Sequence, residues 1–431
     1  MTGPLTARQA ELDQARAAGG VADLRRGDRL ALVVPGSARL VTAVLGALRV
    51  GVVPVVLDPA TPRAELDALL DDVDPARVVR GADELEALHH HEPAELGPVP
   101  LGRPMHVTSG TTGRRKGVWS GVLEPAAARA LWAEEADLWG FGPADVHVVV
   151  SPLHHSAPLR FAIGTLLAGG SVLVPGSFAP AAFLDLCEAH HPTTVFTAPA
   201  QLQRLRELGD ARTPAVLGRF RLVAHAGAPC PEPVKRWLVD CAGDAVWEFY
   251  GSTEGQFTVC SAADWATHPG SVGRARPGRT LSTDPDGTIW CTVPSHARFT
   301  YWGAPEKTAA AWRGDAFSVG DLGRIDDQGW LYLDGRRDDL VITGGVNVYP
   351  MEVERVLEEC PGVREVAVYG VDDERWGQRV EAAVVGDASA VDDWAREHLA
   401  PAQRPKVVHS LDALPRTTTG KVLRGALRTR A

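Results

Sequence analysis

Short apolar runs alternate with amphipathic stretches along the first part of the chain. "LALVV" (30–34) reads as a buried strand, and "VVPVVL" (52–57) and "ARVVR" (76–80) read as further strands. Between them, "SARLVTAVLGALRVG" (37–51) has helical spacing with Ser37 placed to cap it, and "TPRAELDALLDDVD" (61–74) is a helix with Pro62 near its first turn. This βαβα order predicts a parallel sheet covered by helices. The alternation resumes with strand-like "VHVVV" (146–150), "SVLVP" (171–175), "TVFTA" (194–198), "RLVAHAG" (221–227) and "VWEFYG" (246–251). Between Ser261 and Leu333 polar and apolar residues mix evenly among many Gly, Pro and Thr, which predicts short twisted antiparallel strands.

After Arg336 the pattern changes. "YPMEVERVLEE" reads as helix, "REVAVYGV" and "RVEAAVV" as strands, "VDDWAREHL" as helix and "PKVVHSL" as strand. The expected fold class is therefore α/β. A large domain over 1–337, with parallel βαβ sheets and a small antiparallel part, precedes a small α+β domain over 338–431. "HHHEPAELGPVPLG" (89–102) reads as an exposed linker, although three adjacent histidines could bind metal.

Composition narrows the class. The 431 residues are 45% hydrophobic and 23% charged, with net charge −10. That balance suits a soluble protein and argues against nucleic acid as partner, because phosphate affinity needs clustered Lys and Arg. The most apolar run, Val41–Leu57, is broken by Arg49, Gly51 and Pro54, so no membrane span is expected. Six scattered cysteines form no CxxC pair, and the N-terminus lacks the apolar core of a signal peptide. A cytoplasmic enzyme with reduced thiols is the expectation.

The chemistry concentrates in "HVTSGTTGRRKGV" (106–118). Backbone N–H groups of a Gly-rich turn can converge on anionic oxygens. Thr108, Ser109, Thr111 and Thr112 add hydroxyls, Gly110 and Gly113 allow close approach, and Lys116 offers an ammonium. The residue after Lys116 is Gly117, so this is not the GxxxxGK[ST] phosphate loop. The order of further motifs extends the match: "HAGAPCP" (225–231), "EFYGSTEG" (248–255), "SVGDLGRIDDQGWLYLDGRRDDLVITGGVNVYPMEVE" (318–354) and "LPRTTTGKVLR" (414–424). With "SPLHHSAPLRFA" (151–162), the whole chain resembles the adenylate-forming superfamily of acyl-CoA synthetases, peptide-synthetase adenylation domains and luciferases, and looks most like its bacterial acyl-CoA synthetase branch.

That resemblance implies ATP, Mg2+ and coenzyme A as substrates and cofactor, and an acid activated as its adenylate. Thr108 to Lys116 would hold the β- and γ-phosphates. Gly227, Ala228, Pro229 and Tyr250 would sandwich adenine, Gly251 and Ser252 would belong to the ATP site, Thr253 would contact the phosphates and Glu254 would bind magnesium. Asp321 and Arg336 would take the ribose, and Asp338 would be the hinge. Lys421 would bridge the attacking carboxylate and the α-phosphate. Gly344 and Gly345 would line a pantetheine tunnel, with His155 as its gate.

The chain is short for the superfamily, mainly before the signature loop. Nucleotide chemistry should survive, but the acceptor is open: coenzyme A, a carrier-protein thiol, an amine in an amide ligase, or a diazotase-like use of nitrite and an aryl amine. A monomer or homodimer is equally compatible. A degenerate nucleotide-binding protein is disfavoured by Lys116, Glu254, Asp321 and Lys421 occurring together, and a scaffold does not explain five ordered motifs.

Overall fold

The computed structural model describes residues 3–108, 116–417 and 421–429. It divides into two compact units. One comprises Met1–Pro269, Gly273–Thr280 and Cys291–Phe317; the other comprises Gly270–Val272, Leu281–Trp290 and Ser318–Ala431. The domain boundary expected at 337/338, and with it the hinge role of Asp338, stays a proposal; by packing, Ser318 to Arg337 group with the second unit. Asp338 itself is exposed, in a single 3-10 turn, Arg337–Asp339, of the second unit.

In the first unit the expected parallel strands form. Val53–Leu57, Arg29–Val33 and Arg77–Arg80 make one sheet, in that order and all parallel. Ala38–Arg49 is the covering helix, and Ser37 caps it by accepting from Leu40 N at 3.2 Å. Nine consecutive residues of this helix, Leu40–Leu48, are buried, which explains why its apolar pattern is nearly continuous.

A larger sheet carries, in order, Ser171–Leu173, Val146–Val149, Thr194–Thr197, Leu222–His225 and Val246–Glu248, all parallel. Its edges are antiparallel: Leu5–Thr6 pairs with the first strand, and Thr258–Ser261 returns along the last. Each parallel strand is shorter than its apolar run, because the run continues past the sheet into loops. "VWEFYG", for example, leaves the sheet after Glu248.

One expectation changes. His89 is not part of an exposed linker: it follows the helix Gly81–Leu88, is buried, and bonds Thr42 Oγ1 (2.9 Å) and Leu85 O (2.9 Å) through its two ring nitrogens. Burial holds its pKa below the usual histidine value. His90 and His91 are exposed, and among the described residues no three His, Cys, Asp or Glu side chains group as a metal site. The region after Ser261 does form short antiparallel pairs, such as Cys291–Thr292 with Ala316–Phe317. The six cysteines are free thiols.

The second unit begins its own hairpin with Asp321–Ile325 against Leu331–Arg336. Its remaining sheet pairs Val363–Asp373 with Gly377–Gly386, flanked by Val341–Thr343 and Val346–Val348, and by Val407–Ser410. Helices Pro350–Glu358 and Val391–His398 bury Val353, Leu357 and Val391 against it. No helix among the described residues is long and apolar enough to cross a membrane.

Candidate active site

The signature motif is mounted on a three-stranded sheet of the first unit. His106–Thr108 pairs antiparallel with Lys116–Trp119, and Thr300–Tyr301 pairs with the outer side of the latter. The loop residues Ser109, Gly110, Thr111, Thr112 and Gly113 lie outside the described residues. Lys116, expected against the nucleotide phosphates, starts the second strand, and its Nζ is 3.9 Å from Asp72 Oδ2.

Adenine's expected walls arise from neighbouring strands. Leu222–His225 and Val246–Glu248 are adjacent and parallel, so Gly227, Ala228 and Pro229 and the residue Tyr250 emerge at the same carboxyl edge. That edge is where open α/β sheets bind ligands. Tyr250 is half-buried and packs on Phe257, with ring centres 4.8 Å apart and the rings tilted by 38°.

Gly251, Ser252, Thr253 and Glu254 form a closed turn. Tyr250 O accepts from both Phe257 N and Thr258 N, Ser252 N donates to Gly255 O at 2.8 Å, and Gly251 bridges Gln256. A side chain at Gly251 would put Cβ 2.8 Å from Gly255 O, so only glycine closes the turn. The turn presents Glu254, buried at 6% exposure, whose Oε1 accepts from Tyr301 Oη at 2.8 Å. Tyr301 belongs to the strand lining the signature hairpin, so one hydroxyl ties the signature sheet to the glutamate's turn. Lys307 covers its ring at 4.2 Å.

His155 sits immediately before the helix Ser156–Leu167, with its ring 4.2 Å from that of His154. His106, at the root of the signature strand, bonds the His154 carbonyl through Nδ1 at 3.1 Å. Burial pushes His106 down to about 4, so it is neutral at physiological pH.

In the second unit, Asp321 and Arg336 are cross-strand partners, with Arg336 Nε 2.9 Å from Asp321 Oδ1. The charges of Arg336, Asp339, Asp321 and Arg424 all act on Lys421. Burial first, and Arg336 second, hold the lysine pKa below its usual value. The backbone of Lys421 is fixed by Thr417, whose Oγ1 accepts from Lys421 N at 3.1 Å and whose N donates to Lys421 O at 2.8 Å. The structure thus brings three of the expected residues, Asp321, Arg336 and Lys421, into one electrostatic neighbourhood.

Gly344 and Gly345 form the two-residue turn between Val341–Thr343 and Val346–Val348, with φ of 57° and 80°. Positive φ at both positions is the requirement of a type I′ hairpin, which a Gly-Gly pair meets. Gly344 N donates to Trp376 O at 2.8 Å, and a Cβ there would lie 2.9 Å from the Trp376 ring.

Sequence reasoning passed over several residues. Tyr301 gave no local signal, since its partner is 47 positions away. Lys235 and Glu248 form a buried ion pair, with His225 Nδ1 4.0 Å from Glu248 Oε1 and Lys235 Nζ 4.9 Å from the Trp265 ring centre. Burial lowers His225 to about 4, leaving it neutral beside that pair. "EFYG" and the lone lysine after "PCPEPV" were the only sequence traces of this pair.

Comparison with known proteins gives three findings. Residues 2–100 and 105–295 match the AMP-binding enzyme family, and residues 352–421 match the AMP-binding enzyme C-terminal domain. A feruloyl-CoA synthase from an Amycolatopsis species is 33% identical over 458 positions, covering 96% of this chain and 92% of that protein. A 2-succinylbenzoate–CoA ligase from Geobacillus kaustophilus is 34% identical over 349 residues, 74% of this chain and 68% of that one. The first aligned span exceeds the 431 residues present, so that relative carries insertions this chain lacks. Among solved structures, ATP-bound MatB from Rhodopseudomonas palustris matches with a TM-score of 0.87 at 32% identity, over 98% of this chain and 93% of that one. The amide bond synthetase McbA from Marinactinospora thermotolerans matches at 0.85 and 25%, over 98% and 94%.

Proposed function

The chain belongs to the AMP-binding enzyme family, and from that membership we propose that it adenylates a small carboxylic acid with ATP and hands the acyl group to coenzyme A. It is an ATP-dependent, AMP-forming ligase. The supporting observation is Glu254: a buried carboxylate, held by Tyr301, in a closed turn beside Tyr250 and at the same sheet edge as Gly227.

A carboxylate is a poor electrophile at neutral pH. In the first half-reaction its oxygen attacks the α-phosphorus and the bond to pyrophosphate breaks. In the second, a thiol sulfur attacks the acyl carbon and AMP leaves. Neither step needs a covalent enzyme intermediate, so this chain's residues serve mainly to align reactants and stabilise charge. Tyr250 and Gly227–Pro229 hold the base. Asp321, oriented by Arg336, accepts from the ribose hydroxyls. Lys421 neutralises charge growing on the α-phosphate oxygens, a task suited to a compact cation on a long stem.

A magnesium ion fits the donors present. The described residues build no cage of three acidic or imidazole ligands, and Mg2+ is ordinarily held by one or two carboxylates together with substrate phosphates and water. Glu254 would hold it. When bound, the ion offsets phosphate charge.

The test is acid-dependent pyrophosphate release from ATP, followed by loss of the free thiol of coenzyme A. Acid-independent release, or activity indifferent to chelation and to Glu254→Gln, would refute the reading. One observation favours a second acceptor: McbA, an amide bond synthetase, shares the fold over nearly the whole chain. Replacing coenzyme A by a primary amine, or by a carrier-protein thiol, in the same assay separates these acceptors.

A further inference from the structure

The first unit buries more positive charge beside the candidate site than it neutralises. Four guanidiniums, of Arg103, Arg160, Arg276 and Arg279, gather around two carboxylates, of Glu134 and Glu135. Two pairs are matched. Arg276 Nη1 donates to Glu135 Oε1 at 2.7 Å, and Arg279 Nη2 donates to Glu134 Oε2 at 2.8 Å. His296 shares Glu134 at 2.7 Å. Arg103 reaches a backbone carbonyl, that of Ala297, at 3.1 Å. Arg160 spends one N–H on Gln256 Oε1 at 3.2 Å, an oxygen that Arg276 also occupies at 3.1 Å. Its Nε is 3.4 Å from the already paired Glu135. Arg160 therefore shares Glu135 with Arg276, and Arg103 has only a carbonyl, so four guanidiniums stand against two carboxylates. Burial first, and the neighbouring Arg160 second, bring Arg103 down to about 10.

Position gives this surplus a meaning. Arg160 lies on the helix that begins just after His155. Its guanidinium covers Phe249, the residue before Tyr250, at 5.4 Å. Gln256 is two residues past Glu254, and the charges of Arg103 and Arg160 both reach His106 at the root of the signature strand. The elements enclosing the cluster are the ones that carry the expected gate, adenine wall and metal-side turn. A purely structural network would balance its charges, because partly buried cations in excess of their carboxylates are costly to desolvate. Arg160 also keeps 13% of its side chain exposed, so a small group can reach it.

We propose that Arg160, backed by Arg103, binds a second anionic oxygen group of the substrate acid, so that the enzyme takes dicarboxylic acids in preference to monocarboxylic ones. The inference rests on the AMP-forming ligase reading. One carboxylate reacts with ATP. The other lies against a planar guanidinium, whose paired N–H groups match two carboxylate oxygens. Phe249 supplies an apolar face that keeps water from the pair.

The experiment compares succinate, glutarate and phthalate with their monomethyl esters in pyrophosphate release. A charge-assisted contact of this kind corresponds to about 10- to 100-fold in kcat/KM. Wild type should favour at least one diacid by that factor. Arg160→Met should bring the diacid-to-ester ratio close to unity, and Arg160→Lys should restore part of it. Because the ratio is taken within one preparation, partly misfolded protein cancels. Wild type that treats acid and ester alike, or Arg160→Met that keeps the preference, overturns the subsite. If no acid of either kind releases pyrophosphate, the ligase reading fails, and binding decides the subsite instead. A diacid, but not its ester, should then raise the unfolding temperature of wild type and not of Arg160→Met; equal shifts overturn it.

Discussion

Tyr301→Phe tests whether Glu254 is held in place or merely present. The hydroxyl lies 2.8 Å from Glu254 Oε1, and both residues are 6% exposed. A hydrogen bond to a charged acceptor contributes about 1.5–3 kcal/mol, and its loss leaves the carboxylate oxygen poorly solvated. Phenylalanine keeps the ring under Lys307 and its packing on Phe299, so the hydroxyl is the only group removed. At ~2–4 °C per kcal/mol for a unit of this size, unfolding should fall by roughly 3–12 °C. If the carboxylate's orientation matters to the metal-bound nucleotide, the same energy appears in catalysis: pyrophosphate release should need about 10- to 100-fold more magnesium. The assay is a magnesium titration at saturating ATP and acid, with melting curves on the same samples. Glu254→Gln is the control, since its amide oxygen still accepts from Tyr301 and should keep stability while losing the metal. The reasoning is refuted if Tyr301→Phe melts lower with its magnesium dependence unchanged, because the hydroxyl would then serve packing alone.

Three further outcomes follow from the geometry. Lys421 has its pKa held below 10.5 by burial and by Arg336, so it loses its proton at lower pH than a free lysine. Adenylation should therefore decline along an alkaline limb below 10.5 that Lys421→Arg removes, while protein stability rises with pH in the same window because the unfolded chain there binds more protons; a limb unchanged in the arginine variant assigns it elsewhere. Gly345→Ala and Gly345→Leu share one backbone penalty, since φ is 80° and an L-residue there costs about 1–2 kcal/mol, so their difference reports bulk: leucine should form adenylate but lose thioester formation where alanine retains it, and identical half-reaction rates would exclude this turn from the thiol's path. Lys235→Met strands Glu248 in the core and should destabilise by about 3–5 kcal/mol in urea unfolding, with Lys235→Met/Glu248→Leu recovering most of it; a single-variant loss under ~1 kcal/mol would show the pair is solvated.

Legibility followed the range of the forces involved. Parallel strands such as Arg29–Val33 were readable because burial on both faces writes itself as one unbroken apolar run. Ser37 marked a helix start because capping acts within one turn, and Pro62 because its fixed φ suits the entry to a helix. Gly344 and Gly345 were singled out for space near a tunnel, whereas the structure shows that they are also required by the hairpin's backbone. His89 was misplaced because its burial depends on Thr42, 47 positions away, and not on the polar residues that follow it.

The same limit explains why the chemistry was only half visible. Tyr250, Glu254, Asp321 and Lys421 sit in motifs whose neighbours identify them. What positions them is distant in sequence: Tyr301 is 47 residues from Glu254, Arg160 is 96 from Gln256, and Arg276 is 141 from Glu135. A motif can be read because the nucleotide it meets is constant. The residues that set the acid have no constant partner to leave a pattern, so they show only as contacts, and here as a charge imbalance. On this argument the nucleotide half of the site should tolerate little exchange, while Arg160 and Phe249 are where substrate preference can be moved without disturbing ATP. That gives a direct expectation: Arg160→Met should alter KM for the acid far more than KM for ATP, and comparable changes in both would place Arg160 with the nucleotide instead.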